Sequence, residues 1–414
     1  MLNYWEALNI VLENTKLLGK EKLLLTDSLG RILAENIVAD RDNPPFDNSG
    51  MDGFAIRYED IKGASEEKPV VLEIIGEVKA GGETIKVKPK TAVSIYTGAI
   101  IPEGADTVIQ KELTKVQDGK VFIFKELPKG TNIRKQGDDY KKGDILIPEG
   151  TTIRAPEIGI MASVNKPSVY VRQRPRVGIL TTGDEILDIG EPITSPSQIR
   201  TSNTYSLYAQ ILETGAVPVI LGFAKDNPED LKEKLSYAKN CDVLLTTGGV
   251  SVGEYDLVKD FVSQVLNVKP IFWKIAQKPG KPVVFGTWGD NSEKLFFGIP
   301  GNPVAAMVVF ETLVKPALRK MMGFKKNYNP IIKAKLRKGY KRKKADRLEF
   351  VRVKLEKIDE CFLAEITGKQ GSNILTSMLK ANGLGIIPQE VNEIKENDYI
   401  DVIIFDVSFL NETF

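Results

Sequence analysis

Two hydrophobic rhythms run along the chain, and the changes between them divide it. Residues 3–18 place Trp5, Leu8 and Leu12 at helical spacing with Gly19 as a stop, predicting an amphipathic helix with Trp5 in the core. Residues 69–139 carry short β-rich or alternating runs, VVLEIIGEV, TAVSIYTGA, DTVIQKE and KVFIFKEL. The Asp118–Gly119 pair between the last strands is a hairpin signal, because a two-residue type I′ turn needs positive φ at both positions. Residues 145–172 add a short strand, a helix around 156–163 and a strand to Arg172.

From Arg176 the rhythm becomes strand–turn–helix. Apolar strands are expected at 177–182, 217–223, 243–247 and from 295, with helices opening at Ser202–Asn203, at Asn227–Pro228, after Asp256 and at the Pro300–Pro303 turn. This alternation predicts a doubly wound, mostly parallel α/β sheet that binds ligands at the carboxyl ends of its strands. After Met321 it gives way to strand candidates at 331–337, 348–357, 362–367, 384–388 and 399–407, with a helix at 374–381. A small β-barrel or sandwich follows.

Composition narrows the chemistry. The 414 residues, 42% hydrophobic, suffice for two to four domains. A net charge of +2 argues against wholesale nucleic-acid binding. The basic run KGYKRKK at 338–344 has no aromatic beyond Tyr340 and is expected to be a solvated hairpin tip. No apolar run reaches the ~18 residues of a membrane span, so a soluble protein is expected. Cys241 and Cys361 are far apart and lack a CxxC partner, which fits a reducing cytoplasm. The 0 histidines remove imidazole acid–base chemistry and His metal ligands, leaving carboxylates, lysines, hydroxyls and a hard cation such as Mg²⁺.

The chain's densest candidate site is TTGGVSVGEYD, residues 246–256. Gly248 and Gly249 permit a sharp turn and close approach of a ligand, Ser251 offers a hydroxyl, and Glu254 and Asp256 add carboxylates. A phosphate-and-metal site and a tight strand-to-helix connection with solvated acids both fit this stretch. Asp184, Glu185 and Asp226 end neighbouring strands, while Lys274, Lys278 and Lys281 surround a Pro-Gly turn. Carboxylates and lysines on one rim suit an anionic phosphate held partly through Mg²⁺ and partly by direct cations. The helix starting near Asn302 adds free N–H groups. Asp47, Asn48, Ser49 and Asp52 crowd a loop after Pro44–Pro45, and Arg134, Asp138 and Asp139 gather around Gly137. Asx turns or a binding loop explain the first; a solvated loop or a site explains the second.

Taken in order, DNSGMDGFAI, TTGDEI, SNTYSL, TTGGVSVGEYD, KPGKPVVFG and GIPGNPVAAM resemble the MoeA family of molybdopterin molybdenumtransferases, whose module also forms the E domain of gephyrin-type proteins. The α/β part by itself is also similar to MogA/MoaB adenylyltransferases and CinA-like proteins. The resemblance implies a multidomain α/β plus β fold. Its expected parts are an elongated linking and dimerisation domain (1–44 and 140–172), an inserted β-rich domain (45–139), a MogA-like α/β domain (173–325) and a C-terminal β-barrel (326–414). It implies insertion of molybdenum from molybdate into adenylylated molybdopterin, with Mg²⁺-dependent release of AMP.

By the same resemblance, Glu185, Asp226 and Asp256 are expected to bind Mg²⁺ or activate water, and Asp52 and Asp139 to approach the cleft of a dimer partner. Ser251, Lys274, Lys278 and Lys281 are expected on the pterin-phosphate and molybdate side, with Arg347 and Ser372 as further oxyanion contacts. Thr182, Gly183, Gly248, Gly249, Pro300 and Asn302 fall within the matching motifs as cofactor-binding positions. Implied partners are a second copy of the chain, an adenylyltransferase of the MogA/MoaB type, and molybdoenzyme or tungstoenzyme acceptors, with neither nucleic acid nor membrane. Ala305 stands where many relatives carry Ser; if that hydroxyl helps hold molybdate, another donor or a related oxyanion, tungstate, is expected. Two other activities compete. One is adenylylation of molybdopterin by the same α/β module; the other is a non-catalytic, gephyrin-like scaffold.

Overall fold

The computed structural model describes residues 1–225, 228–248 and 257–406, with side chains of 257–261 excepted. It forms two compact units, one comprising Lys22–Val169 and the other Met1–Glu21 with Tyr170–Phe414. The architecture is multidomain α/β plus β.

Within the first unit, a six-stranded sheet runs in the order Thr107–Gln110, Gly53–Ile56, Thr91–Ile95, Val70–Val78, Lys120–Ile123, Thr114–Gln117. Alternate residues feed two cores, with Phe54, Ile56 and Ile109 on one face and Ala55, Val93 and Val108 on the other. The expected hairpin forms between Gln117 and Lys120, and Asp118 and Gly119 take φ of 48° and 72°. Gly53 has no alternative: a Cβ there would sit 1.9 Å from the Ile109 carbonyl oxygen.

The second unit holds an α/β sheet in the order Val217–Ala224, Arg176–Thr182, Val243–Thr247, Lys294–Ile299, Pro282–Trp288, Lys269–Lys274. The first four strands are parallel, and Pro282–Trp288 runs antiparallel to both its neighbours, Lys294–Ile299 and Lys269–Lys274. The antiparallel edge arises because only a short turn at Gly289 joins Pro282–Trp288 to Lys294–Ile299, too few residues for a parallel crossover. Both faces are covered: Val243 and Leu245 pack with Leu207 and Val308, and Leu244 packs with Leu231 and Val262 on the other side.

The N-terminal helix Tyr4–Glu13 is closed by a capping box in which Asn3 accepts from the Glu6 N–H and Glu6 accepts from the Asn3 N–H. Its buried stripe is Tyr4, Ala7, Leu8 and Val11. Trp5, expected in the core, flanks that stripe and is 49% exposed. Tyr4 supplies a tertiary contact instead. Pro316 has no N–H to give the carbonyl of Thr312 four residues earlier, and the buried Tyr4 hydroxyl donates to that carbonyl at 3.1 Å. The helix is a π-turn there, over Phe310–Val314.

Leu348–Ile358, Cys361–Ile366, Ile331–Leu336, Tyr399–Ile404 and Gly383–Ile387 close into a five-stranded barrel, because Gly383–Ile387 also pairs with Leu348–Ile358. Each strand lies within a few residues of its sequence-based position, while the expected helix at 374–381 is a single turn, Thr376–Leu379. The basic run at 338–344 is not wholly solvated. Arg342 is buried, donating to the backbone carbonyls of Arg347, Val391 and Pro388.

Candidate functional site

A cavity of about 490 Å³ opens at the carboxyl ends of the parallel strands. Its wall combines three strand ends: Thr181 and Thr182, Thr247 and Gly248, and the turn Pro300–Pro303. Backbone geometry forces them together. Gly248 has φ +90°, and a Cβ there would lie 2.8 Å from the Thr182 carbonyl oxygen; Gly301 stacks against the same glycine. Beneath the cavity, buried hydroxyls link one another, Thr181 to Thr204 at 2.8 Å, Thr201 to Thr204 at 2.9 Å and Thr247 to Thr181 at 3.2 Å.

The helices Asn203–Thr214 and Pro303–Val309 both begin at this cavity. Neither Ser202 nor Asn302 caps its helix with a side-chain hydrogen bond; the Thr204 N–H donates to Thr201 Oγ1 at 3.3 Å and the Val304 N–H to the Ser372 carbonyl at 3.1 Å, while Pro303 has no N–H to give. The buried Asn203 amide donates to the Gly301 carbonyl at 2.8 Å and ties the two helix starts together. Glu185 lines the cavity with its side chain exposed.

The sequence-based candidates distribute unevenly. Thr182, Glu185, Gly248, Pro300 and Asn302 line the cavity. Gly183 follows Thr182 with φ +134° and contributes the turn toward Glu185. Asp226, Gly249, Ser251, Glu254 and Asp256 lie outside the described residues. Ala305 is buried inside the helix and does not line the cavity. Arg200, Thr201, Ser202 and Asn203 do line it. Ser202–Asn203 reads locally as a helix start, and nothing local marks Arg200.

Lys274 faces Pro282, itself a wall residue, across the antiparallel pair, and the Lys281 carbonyl accepts from the Ile275 N–H at 3.2 Å. Gln277–Lys278 adds a short parallel strand beside Leu348–Glu349 of the barrel. There the Lys278 ammonium meets Glu349 Oε1 at 2.8 Å, and the Tyr340 hydroxyl donates to the same oxygen at 3.1 Å. Burial, with Glu349 alongside, pushes the Tyr340 hydroxyl up to about 12.

Arg342 Nη1 holds the Arg347 carbonyl at 2.8 Å. Arg352, also buried, donates to Ser377 Oγ and the Gly371 carbonyl and receives support from Gln370, so it fastens the loop that carries Ser372. Its guanidinium is lowered to about 10, chiefly by burial. The Ser372 carbonyl in turn accepts from the Val304 N–H at 3.1 Å. Lys278, Arg347 and Ser372 are thus each anchored by the barrel's interior.

In the unit Lys22–Val169, Asp52 accepts from the Thr97 hydroxyl and backbone N–H, which hold its carboxyl below its ordinary range. Asp139 accepts from Asn43 Nδ2 at 2.8 Å.

Comparison with known proteins matches this arrangement end to end. Residues 2–165 match the MoeA N-terminal region (domain I and II), residues 178–320 a probable molybdopterin binding domain, and residues 333–405 the MoeA C-terminal region (domain IV). The molybdopterin molybdenumtransferase of a Nostoc species is 36% identical over 87% of this chain and 83% of its own length. That of Bacillus subtilis is 38% identical over 89% and 86%. The chain belongs to the MoeA family of molybdopterin molybdenumtransferases. A crystal structure of the molybdopterin biosynthesis MoeA protein from Pyrococcus horikosii superposes with a TM-score of 0.84 at 32% identity, covering 98% of this chain and 99% of that one. The family's domain order therefore extends to the barrel that anchors Lys278, Arg347 and Ser372. Among the described residues, no helix is long and apolar enough to cross a membrane.

Proposed function

We propose that this chain is a molybdenum insertase, which takes adenylylated molybdopterin and molybdate, cleaves the phosphoanhydride, leaves the metal on the dithiolene and releases AMP. One observation carries the reading: a cavity with two helix N-termini, a threonine floor and the exposed Glu185 carboxylate at the ends of parallel strands. The positive ends of the two helices and the threonine hydroxyls there suit phosphate oxygens.

Among the described residues no cluster of three His, Cys, Asp or Glu encloses a metal, so a fully protein-ligated cation does not suit them. Hydrated Mg²⁺, which takes only one or two carboxylates and keeps several waters, fits Glu185, with Asp226 and Asp256 as the further candidates. When bound it would offset the charge of the phosphoanhydride oxygens. Glu185 would hold that cation, and the strand-end glycines let the phosphates approach the backbone.

Lys274, Lys278, Lys281, Arg347 and Ser372 form the oxyanion side of the reading, with molybdate or tungstate as the dianion. Ser251, Gly249 and Gly183 complete the pterin-phosphate side. Asp52 and Asp139 act from a second copy in a homodimer, and a MogA/MoaB-type adenylyltransferase in the cytoplasm supplies the substrate. Molybdoenzymes or tungstoenzymes take the product. The sequence-based domain boundaries at 44, 139, 172 and 325 are proposed with this reading.

The test is incubation with adenylylated molybdopterin, Mg²⁺ and either oxyanion, measuring AMP release and metal retained on the pterin. Oxyanion-dependent release, lost in Glu185→Ala and Asp226→Ala, is the expected outcome. Tight pterin binding without turnover on either oxyanion would point to a scaffold, and ATP consumption with pyrophosphate release to an adenylyltransferase.

A further inference from the structure

Glu349 is 1% exposed, yet its carboxylate faces Lys278, whose side chain is 43% exposed. Among the described residues, Glu349 Oε2 has no hydrogen-bond partner. The guanidinium of Arg342, 3.6 Å from Oε2, is already committed to the carbonyls of Val391, Arg347 and Pro388. The carboxylate's close contacts, the Lys278 ammonium and the Tyr340 hydroxyl, both fall on Oε1. A buried carboxylate is little screened by water; the guanidinia of Arg342 and Arg352 oppose part of its field, and removing its charge would still raise the positive potential at the ammonium beside it.

We propose that Glu349 is a built-in counter-charge that limits how tightly Lys278 holds the oxyanion; this rests on the insertase reading of Lys278. The carboxylate competes from inside the barrel for the same ammonium that a tetrahedral dianion approaches from solvent. A site that must pass its metal to a dithiolene is served by a grip on the oxyanion that stays reversible. Glu349 acts through Lys278 and does not itself touch the oxyanion. A purely structural role, as counter-ion to the buried guanidinia, makes the opposite prediction: loss of the carboxylate would weaken the site or leave it unchanged.

Molybdate titrated calorimetrically into the full-length, nucleotide-free protein at fixed ionic strength separates the two. E349Q keeps an oxygen for Lys278 and removes the charge. It is expected to tighten molybdate by about tenfold or more, since one charge within several ångströms of a dianion outweighs the lost ordering of one lysine. K278A is expected to weaken binding, and in its background E349Q should change affinity by less than about twofold, the non-additivity of a pair acting as one unit. Equal or weaker binding in E349Q, with K278A still weakened, overturns the counter-charge and leaves the insertase intact. Unchanged binding in K278A overturns both the counter-charge and the assignment of Lys278 to the oxyanion. Should E349Q not fold, Y340F removes the hydroxyl that shares Oε1 and frees the carboxylate for Lys278. Molybdate should then bind about threefold more weakly, and no change overturns the inference.

Discussion

The backbone carbonyl of Ser372 accepts a hydrogen bond from the N–H of Val304 at 3.1 Å, joining a loop of the barrel to the first turn of the helix that opens at the cavity. The bond uses only main-chain atoms, so it fixes the position of Ser372 whatever its side chain does. Ser372→Ala should therefore leave thermal stability within about 0.5 kcal/mol of the parent. If its hydroxyl contacts the oxyanion, calorimetric molybdate affinity should fall by about tenfold or more, the worth of one hydrogen bond to a charged ligand.

Gly248 occupies a backbone conformation of φ +90° with the Thr182 carbonyl 2.8 Å from where a Cβ would stand. Gly248→Ala must either strain this turn or push two strand ends apart. A loss of about 1–3 kcal/mol in denaturant unfolding is expected, together with loss of AMP release.

Tyr4 answers a defect created more than three hundred residues away, the Thr312 carbonyl that Pro316 cannot serve. Tyr4→Phe keeps the ring and its packing on Phe350 at 5.1 Å but leaves that carbonyl buried and unpaired. Equilibrium unfolding in urea should show a destabilisation of about 1–3 kcal/mol, and Pro316→Ala, which restores an N–H, should recover part of it.

Asp52 is held below its ordinary value near 3.8 by the hydroxyl and N–H of Thr97. For a carboxyl depressed on folding, the stabilisation is complete above the unfolded value and disappears as pH falls through the folded one. Asp52→Asn, whose amide oxygen can still accept from Thr97, should show a shallower loss of stability below about pH 4 in acid-unfolding curves. An unchanged acid limb would mean that the Thr97 contacts are not made in solution.

Local signals determined much of the molecule. The Asp118–Gly119 turn, the strand Val243–Thr247, the Gly215 end of Asn203–Thr214 and the five barrel strands follow from periodicity and turn chemistry, because each depends on neighbours in the chain. Part of the candidate site was legible for the same reason. Glycine turns at strand ends announce Thr182, Gly248 and Pro300, and a carboxylate beside such a turn announces Glu185.

What the sequence did not contain is the identity of each group's distant partner. Helical spacing includes Trp5 but does not say that the neighbouring stripe, led by Tyr4, is the one buried. A basic run looks solvated until Arg342 meets three carbonyls that only barrel closure brings together. Lys278 reads as a free cation, and Glu349, seventy-one positions later, is set against it only by the pairing of Gln277–Lys278 with the barrel edge. Burial, charge compensation and the fate of orphan carbonyls are settled between segments remote in sequence, so tertiary structure alone decides them.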